Sequence, residues 1–292
     1  MAKLSGEKEY IPYLYILPTL ILLTTITIYP CIHAIYLAFT DYNPMFRECN
    51  FIGLRNFVEL ITEPIFSTAF WNNVIWTIGI VGAEFILGLF TALLLHQDFP
   101  GRTLCRGLVL FPWVIPWVVG GVLWRSIYHP TVGVLNYILT KLGIIHSDIA
   151  WFGGDYALFS LMIIMIWKMV PFMVVMLLAG LGAIPVQLYE AARIDGANKF
   201  QSLLYITLLL LKPIAGISIL LSFIWVFKHF DIVYSTTQGG PVNATLLLSV
   251  MTYRNAFRYY RMGYAAAIGV FMFIILSGPV YFYVKQALKK VR

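Results

Sequence analysis

The sequence predicts an all-α membrane protein of about six transmembrane helices. Three observations point that way. Of its 292 residues, 60% are hydrophobic, 16% aromatic and only 11% charged, and the mean hydropathy is +0.83. A soluble domain carries roughly 25% charged residues, so lipid is the expected solvent for most of this chain. The apolar residues also fall into long runs, each near the roughly 20 residues that cross a bilayer. Finally, lysine and arginine gather in the short polar interruptions between those runs.

In chain order the expected spans are 13–39, 74–96, 107–128, 156–181, 203–227 and 262–285. The first runs past the length of a signal-peptide core and lacks a small-residue cleavage site ahead of Pro30, so it reads as a retained helix. Pro18, Pro30, Pro112, Pro116, Pro171 and Pro213 interrupt the spans and predict bends, tolerable where neighbouring helices or cavity water satisfy the freed backbone groups.

Lys3, Lys8, Arg102, Arg106, Arg193, Lys199, Lys285, Lys289, Lys290 and Arg292 lie on one side of that arrangement. Arg47, Arg55, Lys141, Arg254, Arg258 and Arg261 lie on the other, spread over longer segments. The denser side is expected to be cytoplasmic, with both termini and the loop around Glu190. The net charge of +7 then reflects membrane orientation rather than nucleic-acid binding.

The loop before the fifth span is the most distinctive stretch. Pro185 suits the first turn of a helix, Leu188, Ala191 and Ala192 give it a compact face, and Gly196 can take the positive φ that ends it. Asp195 and Asn198 are plausible caps for the helical run that follows. Small residues let a partner backbone approach, and Glu190, Arg193 and Asp195 supply a charged rim. An E-A-A tripeptide alone is better read as an interfacial amphipathic helix.

Glu190-Ala191-Ala192, Gly196, Ile206, Leu208 and Pro213 together resemble the EAA signature of ABC importer permeases, and Asp195-Gly196-Ala197 with Phe200 resemble its carbohydrate-uptake branch, the maltose-type and glycerol-phosphate-type permeases. The signature usually has proline where this chain has Leu209, which restores a helical N–H and predicts a softer bend into the fifth span. The resemblance extends to Leu17-Pro18-Thr19, Tyr29-Pro30, the run from Phe51 to Phe57, Trp71-Asn72-Asn73, Phe111-Pro112 through Pro116, Gly239-Gly240-Pro241 and Gly263-Tyr264-Ala265.

That resemblance implies the type I importer fold: a single permease domain over 1–292, with a cytoplasmic tail at 1–12, a transmembrane core at 70–285 and a coupling helix inside the loop 184–208, between the fourth and fifth spans. It implies that Glu190, Ala191, Ala192, Arg193, Asp195 and Gly196 engage an ATPase. The partners it implies are a second homologous permease, a pair of cytoplasmic ATPase subunits that bind ATP and magnesium, and an extracytoplasmic binding protein that delivers a carbohydrate. No phosphate-cradling loop with Lys and Ser/Thr is in this sequence, so no cofactor and no catalysis are expected of the chain itself. The histidines and cysteines lack metal-ligand spacing, and no disulfide framework is expected.

Sugar recognition pairs aromatic faces with directional hydrogen bonds. Trp113 and Trp117, four apart and so on one helical face, fit that need and resemble sugar-contacting positions of the family. The same alignment suggests Met165, Lys168 and Met169 in the fourth span and Ser222, Val226 and His229 in the fifth as cavity positions. Lys168 either faces a pathway or pairs with Glu84; Lys228 reads as a snorkelling lysine, and Trp117 equally as an interface or packing residue. Lys168 and His229 hint at an acidic sugar. An ion-driven secondary transporter would call for internal repeats and a membrane enzyme for convergent acid, base or metal groups; neither is evident in the sequence.

Overall fold

The computed structural model describes residues 11–46 and 48–291. Lys3, Lys8, Arg47, Arg292 and residues 1–10 of the expected tail lie outside the described residues, while residues 11 and 12 already belong to the first helix. Apart from isolated bridges at Thr40↔Phe51 and Asn43↔Glu48, the described residues are helical or irregular. They form two compact units, one up to Thr62 together with Thr252–Phe271, the other Glu63–Met251 with the described chain from Met272 onward.

In the first unit, α1 (Ile11–Leu23), a π-turn (Thr24–Ile28) and α2 (Tyr29–Leu37) make one apolar span, Tyr13–Leu37, exposed along its length. The π-turn falls just before Pro30, which lacks the N–H a regular turn needs. The short helix α3 (Arg55–Thr62) follows. Asn56 anchors it by donating Nδ2 to the carbonyls of Ala38 (2.9 Å) and Thr40 (2.8 Å). Arg261 pairs with Glu59 at 2.5 Å and lies over the Tyr264 ring.

The second unit is built on α4 (Pro64–His96), α5 (Arg102–Val114), α6 (Trp117–Ile127), the short α7 (Val134–Lys141) and α8 (Ala157–Gly182). After α8 come α9 (Val186–Ile194), α10 (Lys199–Ser202), a π-turn (Leu203–Thr207), α11 (Leu208–Phe227), α12 (Asp231–Thr236) and α13 (Leu248–Tyr253). The last helix, α14 (Met262–Val291), contributes to both units. Among the described residues, five helical segments are long and apolar enough to cross a bilayer, or six when α5 and α6 count as one bent span.

Helices α4 and α8 pack along their lengths. The buried positions of α4, among them Ala69, Asn73, Trp76, Ile80, Glu84, Gly88, Ala92 and Leu95, recur at three- and four-residue steps and so form one face. Small residues set the spacing: a Cβ on Gly88 would stand 2.6 Å from Met173 Cγ, and one on Gly180 would stand 2.7 Å from Leu211 Cδ2 on α11. Gly180→Val should therefore overpack the α8–α11 contact and cost about 1–3 kcal/mol. A lower thermal unfolding midpoint in detergent is the expected readout; an unchanged midpoint would show that the contact yields.

The Trp71-Asn72-Asn73 segment acts as a fastener. Asn72 Nδ2 lies 3.1–3.2 Å from the carbonyls of Asn243, Ala244 and Leu246, and Asn73 donates to Phe227 O while accepting from Leu248 N–H. The Gly-Gly-Pro loop is thus tied to the start of α4.

The bend expected from Pro112 and Pro116 in the third span is a full break, with α5 and α6 meeting at 97°. Leu209 does sit in regular helix, but the irregularity entering the fifth span lies upstream, in the π-turn at Leu203–Thr207.

Candidate functional site

The bend begins with proline chemistry. Pro116 has no N–H to continue α5, and a residue preceding proline is pushed away from helical dihedrals. Ile115 accordingly has ψ 131, and Pro116 (φ -55, ψ 143) becomes the N-cap of α6. The break strands carbonyls at the end of α5, where a helix is also partially negative. Lys168 meets both needs from α8: its Nζ donates to Pro112 O at 2.7 Å and to Ile115 O, and lies 4.7 Å from the centre of the Trp117 ring. It is 1% exposed.

Neither expectation for Lys168 holds as written. It does not pair with Glu84, which instead accepts from Ser222 Oγ and keeps a second buried oxygen without a partner among the described residues. Nor does Lys168 line the open cavity; it closes the helix break behind the cavity wall. Trp113 and Trp117 do not share one helical face either, because the break separates them, yet they line the same cavity.

That cavity, about 380 Å³, is walled by Trp113, Trp117, Trp225, Met165 and Met169, with Lys228, His229, Phe230 and Asp231 completing it. The wall is aromatic and continuous. Trp113 and Trp225 both contact Phe172, at 6.2 and 4.9 Å between ring centres. His229 meets Trp117 edge-on at 4.7 Å and accepts the Ile232 N–H at Nε2. Lys228 and Asp231, both exposed, flank the short step from α11 to α12 and bring opposite charges to the same mouth.

Five of the eight suggested positions reach the cavity: Trp113, Trp117, Met165, Met169 and His229. Ser222 and Val226 do not. Both are fully buried; Ser222 faces Glu84 and the Val226 carbonyl accepts from Trp76 Nε1. Trp225 is the residue the sequence reading overlooked. No periodic signal marked it, because α11 is apolar on every side and ends at Phe227, before Lys228 and His229.

The loop after α8 is a second, exposed element. Pro185 is the N-cap of α9, one place earlier than expected, and Gly196 has φ +80. Ala197 N–H bonds Ala192 O at 2.8 Å and Gly196 N–H bonds Arg193 O at 3.1 Å, the paired closure of a Schellman motif. Asp195 ends α9 rather than capping the next helix; Asn198 does that, in a reciprocal capping box with Gln201. Tyr189 and Thr207 hydroxyls, 2.9 Å apart, tie α9 to the π-turn before α11. Glu190, Ala191, Arg193, Asp195 and Gly196 are exposed and Ala192 is half-buried.

Five or six apolar spans among the described residues, a cavity at a broken one and an exposed, capped loop fit a membrane permease. The family described as binding-protein-dependent transport system inner membrane component matches residues 84–292. A probable ABC transporter permease of Brucella suis is 35% identical over 92% of this chain and 94% of its own length. The trehalose/maltose transport system permease of Thermococcus litoralis is 35% identical over 97% of this chain and 96% of its own. The crystal structure of a bacterial ABC transporter involved in alginate import superposes with a TM-score of 0.84 at 22% identity, covering 97% of each chain. The chain belongs to the binding-protein-dependent inner-membrane permease family and is the transmembrane permease subunit of an ABC importer.

Proposed function

We propose that this permease moves a neutral sugar or short oligosaccharide through the tryptophan cavity by alternating access, driven through the α9 loop. The observation that carries the substrate class is the wall of three indoles beside one lysine and one aspartate. Aromatic faces suit sugar C–H surfaces, and the polar pair suits hydroxyls. The hint of an acidic sugar loses its basis in Lys168 and His229: the ammonium is committed to two carbonyls and the ring nitrogen Nε2 accepts a backbone N–H. The Lys228 charge is balanced by Asp231 at the same opening.

In this reading the loop 184–208 is the power connection within a single transmembrane core, 70–285. Glu190, Ala191, Ala192, Arg193, Asp195 and Gly196 dock into a cytoplasmic ATPase, and the exposed Ile194 and Phe200 (87% and 66%) offer that partner apolar surface. A pair of ATPase subunits binds ATP and magnesium, so the permease needs no cofactor of its own. A second homologous permease completes the pore and an extracytoplasmic binding protein delivers the sugar. Both termini and the α9 loop face the cytoplasm.

The test uses the assembled importer in proteoliposomes. Trp225→Ala and Trp117→Ala should each lower uptake of neutral oligosaccharide at least about tenfold, the scale of losing one well-packed aromatic contact, while ATPase subunits remain bound. Normal uptake by both variants would place the sugar in the partner permease. Selective uptake of uronic over neutral sugars would overturn the neutral assignment.

A further inference from the structure

We propose that a groove where α4 and α8 end and α5 begins holds one anionic phospholipid, its phosphate on Arg102 and Arg106 and an acyl chain between α5 and α8. The groove measures about 650 Å³ and is two-sided. Its wall is apolar, with Val109 and Leu110 on α5 facing Val174 and Leu178 on α8; its rim carries Arg102 and Arg106, together with His96 and Asp98. Such a rim lies at headgroup depth, because α4 ends at His96 and α5 begins at Arg102.

Arg106 supplies the second observation. Its Nη2 donates to Leu95 O at 3.1 Å, which holds the half-buried guanidinium in place at the groove rim. A guanidinium fixed there has further N–H donors beyond that bond, and a phosphate oxygen is the acceptor its fork geometry suits. Arg102 stands nearby, bonded to Gln97 O at 3.3 Å and paired with Asp98, whose side chain is 99% exposed and screened by water. Two arginines against one aspartate leave the rim cationic. Basic pockets between helices at the cytoplasmic surface take anionic headgroups. A free anion would satisfy the rim but leave the apolar wall wet; a lipid satisfies both.

The position gives the lipid a consequence. The groove also includes Gly182 and Val186, the end of α8 and the start of α9, so the bound lipid braces the stem of the exposed loop.

The experiment takes the whole importer in nanodiscs of phosphatidylcholine, with or without phosphatidylglycerol. Substrate-stimulated ATP hydrolysis should rise several-fold with phosphatidylglycerol, and native mass spectrometry should retain it on the permease. Arg106→Gln should bring the rate down to the phosphatidylcholine value and lose the retained lipid. If that variant fails to assemble, Val109→Trp, which fills the groove from its apolar side, should do the same. Equal rates in both lipids with none retained would overturn the proposal. So would full stimulation by inorganic phosphate, which assigns a free anion, or cysteine cross-linking of the partner permease into the groove, which assigns a protein occupant.

Discussion

Gly196→Val is expected to reduce uptake by the assembled importer at least about tenfold and to uncouple ATP hydrolysis from substrate. Gly196 sits at φ +80, closing α9. An L-residue there costs roughly 1–2 kcal/mol and a β-branched one more. The chain escapes that strain by giving up the Schellman bonds to Ala192 and Arg193, which unwinds the turn that presents Glu190 and Arg193. Gly196→Asn, which tolerates left-handed dihedrals, should keep most of the activity. Wild-type transport by the valine variant would remove the docking role assigned to this loop.

Lys168→Met is expected to destabilise the permease by roughly 2–4 kcal/mol, because methionine fills the space but leaves the Pro112 and Ile115 carbonyls without their charged donor. Its thermal unfolding midpoint should fall by about 5–10 °C. Lys141→Met, at an exposed lysine, should change the midpoint by no more than about 1 °C. If both variants melt alike, the break stands without its ammonium clasp.

The spans were legible because length and apolarity are local properties, but their ends were less so: 156–181 became Ala157–Gly182, whereas the helix expected at 74–96 starts at Pro64. The capped turn after α9 was legible too, because Gly196 and Asn198 carry their conformational preferences with them. The break at Ile115 was not. Pro112 and Pro116 each announce a disturbance, but Pro112 stays within α5 and the chain turns only at Pro116, where Lys168 arrives from a helix distant in sequence. Choosing between Ser222 and Trp225 was equally beyond local reasoning. Helix α11 is apolar on every side, so its sequence offers no periodic contrast to say which face meets a neighbour.

Helix α5 has 13 residues and is therefore about 20 Å long. Arg102 and Arg106 stand at one end and Trp113 at the other, beside the bend that Lys168 clamps to α8. A rod held that way has its fixed point at the clamped tip. Displacement of the arginine end would be largest there and smallest at Trp113, so the clamp shields the indole in the cavity wall from what happens at the other end.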